Sequence, residues 1–112
     1  MNILALIPSP THREIFKRDR ERFVPVTSGC YVLTTFDGIV LYIGLSNNLR
    51  KRMDEHLDNP QKTKPNERGR AIFFSWIESE DTNKIERTWM NIHIQHEGSL
   101  PVLNRIYSPT SN

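Results

Sequence analysis

Gly29-Cys30-Tyr31-Val32-Leu33-Thr34-Thr35-Phe36-Asp37-Gly38-Ile39-Val40-Leu41-Tyr42-Ile43-Gly44 runs directly into Leu45-Ser46-Asn47-Asn48-Leu49-Arg50-Lys51-Arg52-Met53-Asp54-Glu55-His56-Leu57. Cys30 to Thr35 and Ile39 to Ile43 are rich in β-branched and aromatic residues, and the Asp37-Gly38 pair between them is a strong hairpin signal. Side-chain alternation puts Tyr31 and Leu33 on one face of the first strand, and Val40 and Tyr42 on one face of the second. Whether those faces coincide is a matter of register, which the turn type sets. After Gly44 the chain is expected to leave the sheet for a helix, with Ser46 or Asn47 as N-cap. Leu45, Leu49, Met53 and Leu57 recur every four residues and form its inward stripe. Arg52 and His56 stand at i and i+4, one step around from that stripe, so both project toward the same flank of the sheet.

Working outward, Thr11 can cap a basic helix to about Arg22 that buries Ile15 and Phe16, with Pro25 stopping it. Asp58 to Gly69 carries Pro60, Pro65, Asn59, Asn66 and Gly69 without periodicity and reads as a loop. Ala71 to Ile77 reads as a third strand. Thr82 or Asp81 can cap a long helix to about Gln95, with Ile85, Trp89, Ile92 and His96 in line and Gly98 near its end. Pro101-Val102-Leu103-Asn104 closes the domain. The expected organisation is a basic N-terminal helix and lead-in over residues 1–28, one domain over 29–107, and a tail over 108–112.

A chain of 112 residues has room for one domain around one modest core. Its 15 Lys and Arg against 13 Asp and Glu are too balanced to argue for nucleic acid by themselves. Their distribution is more informative. Arg13, Lys17, Arg18, Arg20 and Arg22 crowd one segment, and Arg50, Lys51, Arg52, Lys62, Lys64, Arg68 and Arg70 another. Interspersed acids allow the plainer reading of two salt-bridged surfaces. Cys30 is the single cysteine, which excludes a disulfide framework and a cysteine zinc site and suggests a reducing, cytoplasmic setting. His93 and His96 give two metal donors on one helix and no convincing third. The apolar Asn2-Ile3-Leu4-Ala5-Leu6-Ile7 lacks a basic leader region and a cleavage site, so neither a signal peptide nor a membrane span is read here.

Hydrolysing a phosphodiester needs a positioned water, neutralisation of charge on the phosphoryl oxygens, and help for the leaving alkoxide. Arginine serves the second need because its planar fork stays charged and grips two oxygens. A tyrosine hydroxyl, with an ordinary pKa of about 10, can hold or deprotonate water if a cation or hydrogen-bond acceptor is near, and a histidine is one such acceptor. One carboxylate with phosphate oxygens and waters is a normal magnesium environment, and Glu86, beside the inward stripe of its helix, is a candidate ligand. Singly, each of these residues has a bland alternative as a core tyrosine, a solvated helix charge or a capping asparagine.

Together they resemble the GIY-YIG nuclease family over Gly29 to Asn104. Tyr31 falls on the tyrosine of the first signature triplet and Tyr42-Ile43-Gly44 on the second. Arg52 stands where the family carries its catalytic arginine, with His56 four residues on as in some members. Glu86 is similar to the family's metal-binding glutamate, and Asn104 to its late asparagine. The resemblance implies an α+β fold with a small three-stranded, largely antiparallel sheet flanked by helices. It further implies a metal-dependent endonuclease using Mg2+ or Mn2+ on nucleic acid, DNA rather than RNA by family habit. In that scheme Tyr31 orients or deprotonates the water with His56 behind it, Tyr42 binds the phosphate, and Arg52 stabilises the transition state. Glu86 holds the metal, and Asn104 braces the site or the substrate.

Two positions depart from the pattern. Cys30 replaces an apolar branched residue, a matter of packing. Leu45 stands where some members have a lysine that assists the base, which shifts that task toward His56. Arg50, Lys51, Lys62, Lys64 and Arg68 are candidate backbone contacts. Double-strand cleavage would require a homodimer, a partner protein or two sequential nicks. A noncatalytic nucleic-acid-binding module on the same fold is the alternative, with a protein-interaction domain behind it.

Overall fold

The computed structural model describes residues 1–105; the end of the expected 29–107 domain and its 108–112 tail extend outside them. In chain order the elements are β1 (His12–Ile15), β2 (Gly29–Thr34), β3 (Val40–Ser46), α1 (Leu49–Leu57), α2 (Pro60–Thr63), β4 (Phe73–Glu78), α3 (Thr82–Glu97) and α4 (Val102–Arg105). The sheet has the order β1-β4-β2-β3 with every neighbouring pair antiparallel. It therefore has four strands rather than the three expected, and the fourth comes from a segment whose charges and spacing suggest a helix.

That substitution has a tertiary cause. Without β1, the outer edge of β4 would present a row of unpaired backbone groups. His12 to Ile15 pair with Trp76 to Phe73, extended by Thr11 N–H donating to Trp76 O at 2.9 Å and Phe16 N–H to Ile72 O at 2.8 Å. The rest of the expected helix is a short 3-10 turn over Arg18–Phe23. Arg50 ties this turn down, donating through Nε to Val24 O at 2.7 Å and through its guanidinium to Arg22 O at 3.1 Å.

The β2–β3 hairpin turns at Asp37-Gly38, where Gly38 takes φ +86°, a conformation that costs glycine little. Register then decides the faces. Tyr31 lies opposite Gly44 and Leu33 opposite Tyr42, but Thr34 pairs with Val40, leaving Leu41 as an extra residue. This bulge turns Val40 to the other face, away from Tyr42, contrary to simple alternation. Tyr31, Leu33, Leu41 and Tyr42 consequently share one layer with Phe74, Trp76 and α1, while Cys30, Val32, Val40 and Ile43 share the other with Trp89 of α3.

The strand runs on to Ser46 before α1 begins, so Leu45 belongs to β3 and the helix is capped by Asn48, whose side chain accepts from Lys51 N–H at 3.0 Å. Leu49 and Met53 are its fully buried residues. The 58–69 segment is not wholly loop, since Asn59 caps the one-turn α2 that opens with Pro60. In α3, Trp89 is enclosed and donates through Nε1 to Pro8 O at 2.8 Å. His93 is the buried histidine and bonds Ser99 O at 2.7 Å, whereas His96 faces out. Gly98, at φ +76°, ends the helix with its N–H on Ile94 O. No helix of the described residues is long and apolar enough to cross a membrane.

Candidate active site

The centre of the α1 layer is polar. Tyr31 arrives from β2, Tyr42 from β3, Arg52 and His56 from α1, and Lys62 from α2. Tyr31 is fully buried, with its ring stacked on Phe74 at 5.0 Å between centroids. Its hydroxyl lies 2.6 Å from His56 Nε2. The Tyr31 ring can lie there because Gly44, directly opposite, has no side chain: a Cβ at Gly44 would come within 2.4 Å of the Tyr31 hydroxyl oxygen. Glycine at this signature position is thus a packing requirement of the tyrosine it faces.

The Tyr42 ring stands edge-on to His56 at 5.2 Å and tilted against Tyr31 at 6.0 Å. Arg52 is half-buried and pairs through Nε with Glu55 at 3.0 Å. Burial disfavours its charge, but Tyr31, Glu55 and Tyr42 around it outweigh that and hold it above the ordinary arginine value. Burial, with Tyr42 adding to it, pushes the Tyr31 phenol well above its ordinary value against the pull of Arg52. Burial, then Lys62 and Arg52, drives His56 down to about 3. The ring is therefore neutral near pH 7, and the tautomer protonated at Nδ1 lets Nε2 accept the Tyr31 hydroxyl hydrogen.

Glu86 is not part of this cluster. It sits on α3, which packs on the other face of the sheet, where its charge acts on Cys30. Burial raises its carboxyl, opposed by Arg87. Between the two sides runs an open cleft of about 390 Å³ lined by Ser28, Leu45, Ser46, Asn47, Arg52, Glu80 and Thr82. Thr82 lies one turn before Glu86, on the same side of α3. The cleft thus leads from the arginine, past the end of β3, toward the glutamate.

Asn104 does not join the cluster either, yet it acts on it. Its Oδ1 accepts Ile43 N–H and its Nδ2 donates to Ile43 O, each at 2.9 Å. β3 is an edge strand, and this amide supplies the neighbour it lacks at the residue between Tyr42 and Gly44.

The expected backbone-contact cations divide. Lys51 and Lys64 are exposed. Arg50 is committed to the 3-10 turn, Arg68 lies 3.6 Å from Glu97, and Lys62 is only 5% exposed with its Nζ 4.8 Å from the Tyr42 ring centroid. In the N-terminal segment Arg18 engages Glu21, Asp54 and Asp58, and Arg20 pairs with Glu14 at 2.8 Å. Much of the basic lead-in therefore fastens the added strand to the domain instead of presenting a uniform positive face. Lys62, expected as a backbone contact, is instead a buried neighbour of Tyr42, and the cleft-lining Glu80 is a site neighbour that the sequence reading did not single out. Asn59-Pro60, a cap followed by a first-turn proline, is the signal that could have placed Lys62 on a helix.

Residues 27–97 match the family model for the GIY-YIG catalytic domain. The chain belongs to the GIY-YIG family. No curated protein matches it. The matched span holds both signature triplets, Arg52, His56, Lys62 and Glu86, while β1 precedes it and Asn104 follows it. A GIY-YIG catalytic domain is a nuclease domain with a nucleic-acid substrate.

Proposed function

We propose that this GIY-YIG domain is a divalent-metal-dependent endonuclease that hydrolyses phosphodiester bonds, in DNA more readily than RNA, in an intracellular, reducing setting. The observation that carries the reading is the 2.6 Å contact between the Tyr31 hydroxyl and His56 Nε2, within the group formed by Tyr42 and Arg52. A phenol enclosed against a neutral imidazole has a hydrogen-bond acceptor in place for its proton, and Arg52 beside it favours the phenolate that forms.

In the proposed mechanism the phosphodiester enters along the cleft beside Arg52. The guanidinium exchanges its contact with Glu55 for two phosphoryl oxygens and stabilises the charge that builds on them. Tyr42, half-exposed at the mouth, donates to the same phosphate. Tyr31 orients the nucleophilic water and takes up its proton while passing its own hydroxyl hydrogen to His56. Because Tyr31 is enclosed, that water approaches from the side of Arg52 and Tyr42, the half-exposed members of the group.

Among the described residues no three His, Cys, Asp or Glu form a cluster able to enclose a metal. The half-buried carboxylate of Glu86, raised by desolvation, fits the other mode, in which one carboxylate shares the ion with substrate oxygens and waters. Mg2+ or Mn2+ held there would supply Lewis-acid stabilisation of the phosphate and the leaving alkoxide. Asn104 positions β3 so that Tyr42 and Gly44 keep their places. A single centre of this kind nicks one strand, and cutting both requires a second copy, a partner or a second event.

The test is parallel incubation with supercoiled plasmid, single-stranded DNA and structured RNA in Mg2+, Mn2+ or EDTA. Metal-dependent cleavage, fastest on DNA, is expected. Salt-dependent binding to all three without cleavage in any metal would make the domain a noncatalytic binding module.

A further inference from the structure

We infer that this chain carries a subsite for one unpaired nucleobase of its substrate, a notch near the cleft that combines aromatic rings with a hydrogen-bond donor and an acceptor. Its use in catalysis rests on the nuclease reading above, but its binding test does not.

The notch opens on the α1 side of the sheet, has a volume of about 230 Å³, and draws its chemistry from His12, Phe23, Arg50, Trp76 and Glu78. That is below the roughly 300–1,000 Å³ of pockets that hold drug-sized ligands, and it suits a single heterocycle. The His12 imidazole lies on the Trp76 indole, 5.4 Å between centroids and 13° from parallel. Phe23 supplies another ring, 49% exposed although large and apolar, with the Arg20 and Arg22 guanidinium carbons 4.6 and 4.9 Å from its centroid. Aromatic rings and guanidinium planes at a surface are the groups on which unstacked bases rest. Arg20 is paired with Glu14, whereas Arg22 makes no ion pair among the described residues and is left for the phosphate of the same nucleotide.

Trp76 points to a ligand more sharply. It is 4% exposed, and its indole N–H has no hydrogen-bond partner among the described residues, whereas the Trp89 indole donates to Pro8 O. An enclosed donor without an acceptor is destabilising. A base carbonyl or ring nitrogen seated in the notch supplies that acceptor as the exposed His12 ring gives way. Arg50 offers the N–H groups not engaged by Val24 O and Arg22 O, and Glu78 the carboxylate oxygen not engaged by Thr27. Donor and acceptor together match the mixed edge of a base, which pairing would already occupy. The notch therefore selects an unpaired nucleotide.

Its place in the fold ties it to the centre. Arg50 and Arg52 stand two positions apart at the start of α1 and leave it on nearly opposite sides; the first lines the notch, the second the cleft. Glu78 at the end of β4 and Glu80 just beyond it divide in the same way. A strand whose phosphate sits on Arg52 and which crosses the start of α1 lays a neighbouring nucleotide over the notch. His12 and Phe23 precede the matched 27–97 span, so the lead-in that adds β1 to the sheet also supplies these rings.

The experiment measures binding by fluorescence anisotropy in EDTA at fixed salt, using two DNA duplexes of the same sequence, one fully paired and one with a single bulged nucleotide. Wild type should bind the bulged duplex about tenfold more tightly. In Phe23→Ala and in His12→Ala the two duplexes should bind nearly alike. Should an alanine variant fail to fold, Phe23→Leu, which keeps apolar bulk without the ring, carries the comparison. The indole N–H signal of Trp76 in NMR, assigned by its absence from Trp76→Phe, should move with the bulged duplex and stay in place with the paired one. Equal affinities in wild type overturn the proposal, as does a preference that survives both ring substitutions or leaves the Trp76 signal unmoved. A preference for the bulge in a protein that cuts no nucleic acid in Mg2+ or Mn2+ supports the notch while removing the nuclease reading. Metal-dependent cleavage by a protein that binds both duplexes equally does the opposite.

Discussion

Replacing Asn104 with alanine removes two hydrogen bonds from the outer edge of β3, one to Ile43 N–H and one to Ile43 O, both at 2.9 Å. Each such bond contributes about 0.5–1.5 kcal/mol net, so the pair is worth roughly 2 kcal/mol. For a domain of about 100 residues, 1 kcal/mol moves the thermal midpoint by roughly 4–8 °C, and Asn104→Ala should melt about 10 °C early. Asn104→Asp keeps the acceptor but turns an ionised oxygen toward the Ile43 carbonyl. It should therefore be no better than alanine at neutral pH, and should gain on alanine in acid as the carboxyl becomes a donor. Thermal and urea unfolding of the three proteins measure this directly. Cleavage should fall along with stability, because Tyr42 and Gly44 flank the released residue. An unchanged midpoint with cleavage lost would refute the reasoning and place Asn104 on the substrate.

Glu86→Ala should abolish metal-dependent cleavage while leaving nucleic-acid affinity within a few-fold in a gel shift, and wild-type rates from it would remove Glu86 from the metal. Tyr31→Phe and His56→Ala should each lose activity, and the double variant should lose little more than the worse single, because groups acting as a unit are not additive; a fully multiplicative loss in single-turnover rates would give them separate roles. His56 ionises at about 3 in the folded chain against an ordinary 6.5, so between those values the unfolded chain binds more protons and stability rises with pH. That contribution, of order 4 kcal/mol, is fully present above about pH 6.5 and is lost as pH falls toward 3. His56→Gln, which cannot ionise, should show a flatter urea midpoint across this window, and an unaltered profile would contradict the buried neutral imidazole.

Short-range signals in the sequence carried the hairpin, the helix bearing Arg52 and His56, and the strand after Ala71. Asp37-Gly38 specifies its turn, and the Leu49-Met53 spacing specifies which side of α1 goes inward. What local pattern could not show was settled by distant partners. His12 to Ile15 became a strand because β4 offered unpaired backbone groups some sixty residues away, a tertiary demand that overrides helix propensity. The bulge at Leu41 reversed Val40 and depends on how the hairpin fits its two layers. The tyrosines, Arg52, His56 and Glu86 stand out as candidates through their order and spacing. Their grouping does not. Glu86 occupies the opposite face from the tyrosines, Asn104 works through the Ile43 backbone, and Lys62 turned inward from a segment whose composition reads as solvent-exposed loop.

The nicking rate of supercoiled plasmid by wild type and Arg52→Ala, in Mg2+ and in EDTA, tests the central claim most directly. The account predicts nicking by wild type only with the metal, a loss of about 10²- to 10³-fold in Arg52→Ala, and partial recovery in Arg52→Lys, whose point charge cannot reproduce the fork. Nicking by Arg52→Ala at the wild-type rate, or nicking that persists undiminished in EDTA, would contradict it.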